Sequence, residues 1–329
     1  MRCLLLAAAV AWGSNTAAEP TRLPSIDSSL APSSLLVDIA RAGERLVAVG
    51  EYGHIVYSDD GGATWANARV PVSVMLTAVH FPTAERGFAV GHDGFVLATA
   101  DAGESWRISV DSRRLAELQV AAAERSIARL QALLDATPDD DPEREDVVFE
   151  FENAEFDLED AEALLDTGIK SPLLDVHFVD ERNGFAAGGY GVLLQTATGG
   201  ETWALISDRL DNPDRNHLYS LARSSAGDLF IAGEAGVLFR SADDGQSWSR
   251  LSAGYDGSLF GVVAGGDDAL IAFGLRGRLF RSTDRGDTWS SVDSANRSTM
   301  MGGRRLADGR IALVGAGGAI LVSVDDGRR

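Results

Sequence analysis

The chain has 329 residues, 45% hydrophobic and 24% charged, enough apolar material for a sizeable core and not the composition of a disordered chain. Its net charge of −20 argues against nucleic acid and against anionic lipid as partners, because both need clustered Lys and Arg. The only cysteine, Cys3, excludes a disulfide, a thiolate metal site and a cysteine nucleophile from the rest of the chain.

The N-terminus reads as a secretory signal over residues 1–18. Arg2 is a short positive region, Cys3 to Trp12 an apolar stretch too short to span a bilayer, and Thr16-Ala17-Ala18 a small-residue cleavage site. Export combined with acidity implies a periplasmic or secreted protein. Residues 19–33 form an N-terminal segment ahead of the first repeat.

From residue 34 the sequence repeats. SDDGGATW (Ser58–Trp65), TADAGESW (Thr99–Trp106), TATGGETW (Thr196–Trp203), SADDGQSW (Ser241–Trp248) and STDRGDTW (Ser282–Trp289) share one pattern, and SVDDG (Ser323–Gly327) begins a sixth copy. Every Trp after Trp12 ends one of these Asp boxes. A G-x-x-G turn precedes each box: Gly50–Gly53, Gly91–Gly94, Gly188–Gly191, Gly233–Gly236, Gly274–Gly277 and Gly315–Gly318. Trp65 to Trp106 and Trp248 to Trp289 are each 41 residues, and Trp203 to Trp248 is 45. That period, with four short alternating segments per unit, predicts an all-β propeller with six visible four-stranded blades in a ring of six or seven. In the second unit the strands are MLTAVHF, RGFAVG, FVLATA and SWRISV. Blades one and two occupy 34–111. Blades three to six occupy 169–329, with the last blade lacking its fourth strand. Either the segment from Arg22 to Ser34 closes the ring, or a further blade is missing.

Within the box, Asp60, Asp101, Asp243, Asp284 and Asp325 are expected to accept hydrogen bonds from their own tight turn. Trp65, Trp106, Trp203, Trp248 and Trp289 are expected to open the fourth strand and pack between blades. Thr198 in place of Asp in the third box fits a structural role rather than a catalytic one.

Residues 112–168 break the strand pattern. Arg113 to Ala136 carries Leu115, Leu118, Ala122, Ile127, Leu130 and Leu134 near helical spacing, Asp139-Asp140-Asp141-Pro142 breaks it, and Glu143 to Asp166 resumes with Val147, Phe151, Phe156, Ala161 and Leu165. This reads as an antiparallel helical hairpin. Over residues 112–170, 17 Asp and Glu stand against 6 Lys and Arg. The hairpin leaves the last strand of one blade for the first strand of the next, so it rises from the face that carries the G-x-x-G turns.

The variable turn residues ring that face. Glu51, Tyr52, His92, Asp93, Tyr190, Glu234 and Arg276 are the candidate partner-binding residues, with chemistry suited to gripping a protein or polar ligand. No catalytic residue, metal site or cofactor is expected. His80 and His177 occupy equivalent positions in different blades and read as packed strand residues, and His54, His92 and His217 lack metal-ligand spacing.

The stretches Val49-Gly50-Glu51-Tyr52-Gly53 through Trp65 and Val90-Gly91-His92-Asp93-Gly94 through Trp106 resemble the photosystem II stability/assembly factor family of Asp-box repeat propellers and its relatives in non-photosynthetic bacteria. The resemblance covers nearly all of 34–327 apart from the insertion. It implies a lumenal or periplasmic propeller, not an enzyme, that helps assemble a membrane complex. The acidic hairpin departs from the family, and no arginine-rich surface like that of photosynthetic members stands out. The client implied is another envelope membrane protein, such as a transporter. The alternative is a sialidase-like glycoside hydrolase or a carbohydrate-binding module, since Glu51, Asp93 and Glu234 lie near one face and glycosidases work with paired carboxylates.

Overall fold

The computed structural model describes residues 23–167, 171–266 and 268–328. The expected signal sequence at 1–18 lies outside the described residues.

Six antiparallel sheets follow one another along the chain, each built in sequence order and numbered here as blades one to six. Blade one comprises strands a to d at Leu36–Ala42, Arg45–Gly50, Ile55–Ser58 and Ala66–Asn67. Blade two runs from Leu76–His80 to Arg107–Val110, and blade three from Leu173–Phe178 to Ala204–Leu205. Blade four runs from Leu218–Arg223 to Ser249–Leu251, and blade five from Leu259–Ala264 to Ser290–Val292. Blade six has three strands, Met300–Arg305, Ile311–Gly315 and Ala319–Ser323. The a strands of successive blades pack side by side and form the inner wall. The fold is a β-propeller of six blades with an inserted helical hairpin.

The blades hold together through apolar residues on both faces of each sheet. Strand b is buried on both sides, as GFAVG (Gly87–Gly91) and LFIAG (Leu229–Gly233) illustrate. One cluster joins Phe88, Val90 and Val96 of blade two to Val176, Phe178 and Trp203 of blade three, and equivalent clusters recur at the next boundaries. Trp203 and Trp248 pack edge-on against the preceding blade, at Phe88 and Phe185, while Trp106 meets Phe81 of its own blade edge-on.

The ends of the arc differ from its middle. Ile320 is 69% exposed, whereas Leu279, its counterpart one blade earlier, is 6% exposed. Val314 and Val322 on the same sheet, and Val37 and Ile39 on blade one, are exposed too. The described part of the N-terminal segment, residues 23–33, does not supply a strand to blade six. It packs on blade one instead, where Ala31 covers Ala48 and Val56, the Ser25 amide donates to the Val70 carbonyl, and the Asn67 side chain donates to the Ser28 carbonyl.

Helix α1 (Ser112–Ala136) and helix α2 (Arg144–Thr167) form the hairpin. Asp111 caps α1 by accepting from the Arg114 amide at 2.8 Å. Leu115, Ala116 and Leu118 enter the cluster between blades two and three, with Leu164 and Leu165 of α2 packed against it. Among the described residues, no helix is long and apolar enough to cross a membrane.

Phe156 does not share the inner face of α2. Ala154 and Ala161 are buried and Val147, Phe151, Leu158 and Leu165 are half-buried, while Phe156 is exposed. Five residues advance a helix by about 500°, so Phe151 and Phe156 point away from each other, whereas Phe151 shares its side with Ala154 and Leu158.

Candidate functional site

The G-x-x-G turns are set by a repeated crossing. The residue after the first glycine donates its amide to the carbonyl just before strand a: Glu51 to Leu35 at 3.0 Å, His92 to Met75 at 2.9 Å, Glu234 to His217 at 2.9 Å. A Cβ on Gly50 would collide with the Leu35 carbonyl, and one on Gly53 with that of Val72. The glycines are therefore required by two chain crossings.

Between them, each turn holds its third residue in the left-handed region. Tyr52, Asp93, Tyr190, Ala235 and Arg276 have φ between 50° and 58°. A glycine there would avoid a strain of about 1 kcal/mol per turn. Five of the six turns nevertheless carry a side chain; the sixth has Gly317. Tyr52 is 66% exposed and Tyr190 63%, and Arg276 is also exposed.

The other turn residues divide by role. His92 is exposed. Glu51 and Glu234 are half-buried, and their carboxylates brace the crossing: Glu51 accepts from the Leu35 amide at 2.9 Å and Glu234 from the His217 amide at 3.2 Å.

One side of this face is aromatic. The Tyr190 amide donates to Nδ1 of His217 at 2.7 Å, and the two rings meet edge-on at 5.0 Å. His217 meets Tyr219 at 6.3 Å, and Tyr219 meets Phe260 at 5.0 Å. Sequence reasoning missed Tyr219 and Phe260. Each follows the leucine that opens its a strand and sits at a bulge, where pairing skips one residue. Their shared position after Leu218 and Leu259 is the signal that could have found them.

The hairpin stands on the same face. Leu115 lies directly over Gly94, the Arg125 guanidinium donates to the Leu205 carbonyl, and Asp157 of α2 pairs with Arg215 beside the Tyr190 turn.

The boxes occupy the opposite face. Asp60 accepts from the Ser58 hydroxyl (2.8 Å), the Thr64 amide (2.8 Å) and the Thr64 hydroxyl (2.6 Å). Asp101, Asp243 and Asp284 repeat the pattern. The hydroxyl and amide of Thr64, and then the Ser58 hydroxyl, hold the Asp60 carboxyl down at about 2. Asp243 and Asp284 sit at about 2 for the same reason. In the third box, the Thr198 hydroxyl accepts from the Thr202 amide at 2.8 Å in the place of the carboxylate. Asp325 accepts from the Ser323 hydroxyl at 2.8 Å. Trp65, Trp106 and Trp289 donate their indole N–H to the box glycine, at 2.9 to 3.1 Å.

The inner wall holds a second set of titratable groups. Although they lie in different blades, His80 and His177 bring their rings within 4.7 Å across the boundary between blades two and three. Burial first, then the neighbouring His177, pushes His80 down to about 3, and burial and then Arg223 push His177 down to about 4. Asp38 and Asp175 accept amide hydrogen bonds from the next blade, Asp38 from Val79 at 2.8 Å and Asp175 from Leu221 at 2.7 Å. Among the described residues, no three His, Cys, Asp or Glu side chains gather closely enough to hold a metal ion.

A model of the family described as photosynthesis system II assembly factor YCF48 matches residues 158–329, more than half of the chain. The chain belongs to the YCF48 family. An Asp-box repeat model also matches residues 56–67. Among solved structures, YCF48 bound to a D1 peptide is similar with a TM-score of 0.58 at 16% identity, over 93% of this chain and 82% of that one. YCF48 from Cyanidioschyzon merolae gives a TM-score of 0.57 at 14% identity, over 94% and 85%. The C-terminal WD40 domain of Sif2 gives 0.53 at 12% identity, over 87% and 66%. At these identities the likeness to solved structures concerns the propeller fold. No curated protein matches the chain.

Proposed function

We propose that this YCF48-family chain is an exported, protein-binding propeller that acts as an assembly or stability factor for an envelope membrane protein complex. The observation that carries this reading is the pair of exposed tyrosines, Tyr52 and Tyr190, on the rigid G-x-x-G turns. Side chains are kept at Tyr52, Asp93, Tyr190, Ala235 and Arg276 where glycine would be less strained, and the two tyrosines are exposed. Left-handed side chains also occur in the boxes on the opposite face, at Ala102, Asp244, Arg285 and Asp326, so it is the exposed tyrosines, effective contact groups on rigid turns, that single out this face.

Other features support a protein partner rather than catalysis. The carboxylates of Glu51 and Glu234, which a glycosidase reading would put to work, are engaged in bracing the chain crossings. One similar structure is YCF48 bound to a D1 peptide, which supports a peptide segment as ligand here. Export, and with it a periplasmic or secreted location, rests on residues 1–18, and a net charge of −20 disfavours nucleic acid and anionic lipid.

The test uses the mature chain as bait on solubilised envelope from its own source, beside Tyr52→Ala/Tyr190→Ala. The reading expects a membrane protein that the wild type retains and the double variant releases. Equal retention by both overturns the turn face as the binding surface. A glycan array then decides the carbohydrate-binding alternative.

A further inference from the structure

We propose that the outer face of helix α2 docks a cationic, amphipathic helix of a partner protein. The proposal rests on the reading of the chain as a protein-binding factor and adds a second contact surface with a defined partner chemistry.

The helix has one side too many that is apolar. Its inner side is accounted for by Val147, Phe151, Ala154, Leu158, Ala161 and Leu165, which are buried or half-buried. The opposite side carries Phe149 and Phe156, 64% and 66% exposed. Seven residues apart, they lie on one line along the helix, about 10 Å from each other. Two phenylalanines kept in water on a single stripe mark a contact surface better than a scattered apolar residue does. The spacing is that of anchors met by a partner helix laid along the groove between them.

The surroundings fix the charge of that helix. Glu145, Glu152, Glu159 and Asp160 flank the two rings and are all exposed. Over its whole length α2 carries ten acidic residues and one basic residue, Arg144. Beside Glu145 lies an open depression of about 640 Å³, lined by Asp139, Asp140, Asp141 and Val148 and by Arg144, whose charge is paired with Asp139. A second copy of this chain would bring like charge against like, and an anionic bilayer would be repelled in the same way. A helix with an apolar stripe bordered by Lys or Arg satisfies both the rings and the carboxylates. The site remains open because α2 is anchored elsewhere, by Asp157 to Arg215 and by Leu164 and Leu165 against the ring.

The test is a titration of the full chain against a fluorescein-labelled amphipathic Lys/Leu peptide of about 18 residues, long enough to form a helix on binding. A Glu/Leu peptide of the same pattern is the charge control. The proposal expects the Lys/Leu peptide alone to bind, and Phe149→Ser/Phe156→Ser to weaken it roughly tenfold or more. Both side chains are exposed, so the unfolding midpoint of that variant should match the wild type. Glu152→Gln/Asp160→Asn keeps both rings and should lower the affinity and its salt dependence. Tyr52→Ala/Tyr190→Ala should bind the peptide as the wild type does. Equal binding of the two peptides, or undiminished binding by Phe149→Ser/Phe156→Ser, overturns the proposal. Loss confined to Tyr52→Ala/Tyr190→Ala moves the contact to the turns, overturning the α2 site while leaving the turn-face reading in place.

Discussion

The carboxylate of Asp175 reaches across a blade boundary to the amide of Leu221, 2.7 Å away. It also accepts from its own neighbour, the Val176 amide, at 2.7 Å. Asp38 makes the same pair of contacts two blades earlier, to Val79 and Ile39. The two aspartates stitch the inner wall, and burial is the cost. Desolvation, with a smaller contribution from Asp38, raises the Asp175 carboxyl from 3.8 to about 7 against the pull of the Leu221 amide.

That shift has a definite sign in stability. Between about pH 4 and 7 the folded chain holds a proton on Asp175 that the unfolded chain has released, so this residue's contribution falls as pH rises through that window. Asp175→Asn keeps an acceptor for Leu221 and does not titrate. Denaturant melts at pH 4.5 and 7.5 should therefore show the wild type losing ground to the variant at the higher pH. A constant difference would contradict the assignment.

His80 and His177 act in the opposite direction. Their folded values of about 3 and 4 lie below 6.5, so the unfolded chain takes up protons first as the solution is acidified. Their contribution is present above 6.5 and is lost on descending toward 4 and 3. The double variant His80→Gln/His177→Gln should flatten the acid side of the stability curve below pH 6.5, measured by thermal unfolding across pH. An unchanged acid limb would show that the rings are not held neutral by the fold.

The turn strain can be measured apart from any partner. Ala235 has φ of 50° and is exposed, so Ala235→Gly relieves strain and removes almost no packing. A gain of roughly 0.5–1 kcal/mol is expected from urea unfolding, less than the full strain because glycine also frees the unfolded chain. A loss of stability would mean that the left-handed turn is not strained.

The repeat offers a matched comparison of buried and bare positions. Leu279→Ala should cost about 2–5 kcal/mol, because the residue is 6% exposed in the cluster joining blades five and six. Ile320→Ala, at the same place one blade later, should cost under about 1 kcal/mol. Equal costs would mean that the outer face of blade six is covered in solution.

Much of this architecture was legible in the sequence because the repeat states it many times over. A box read once is a turn; read six times, at a period of 41 to 45 except across the insertion, it counts blades. The turn glycines were equally plain, since a chain crossing admits nothing larger. What the sequence hid was whatever depends on how neighbouring units meet. His80 and His177 are 97 residues apart, and only the curvature of the ring brings their rings together. The pairing of Asp38 and Asp175 with the next blade was hidden for the same reason, although LVDI at Leu36–Ile39 and LLDV at Leu173–Val176 share a pattern. Which side of α2 meets α1 was hidden too, because apolar residues occur on both of its faces: Phe151 turns inward and Phe156 outward. The N-terminal segment, a candidate for closing the ring, instead lies on blade one through Ala31, a contact without periodicity to announce it.

The central claim is that the face carrying the G-x-x-G turns grips a membrane protein. The most direct measurement is photo-crosslinking in the source cell, with a benzophenone amino acid placed at Tyr52 and, in a second strain, at exposed Ala63 in the box on the opposite face. The account predicts one dominant membrane-protein adduct from position 52 and none from position 63. Adducts from position 63 alone, or equal adducts from both, would contradict it.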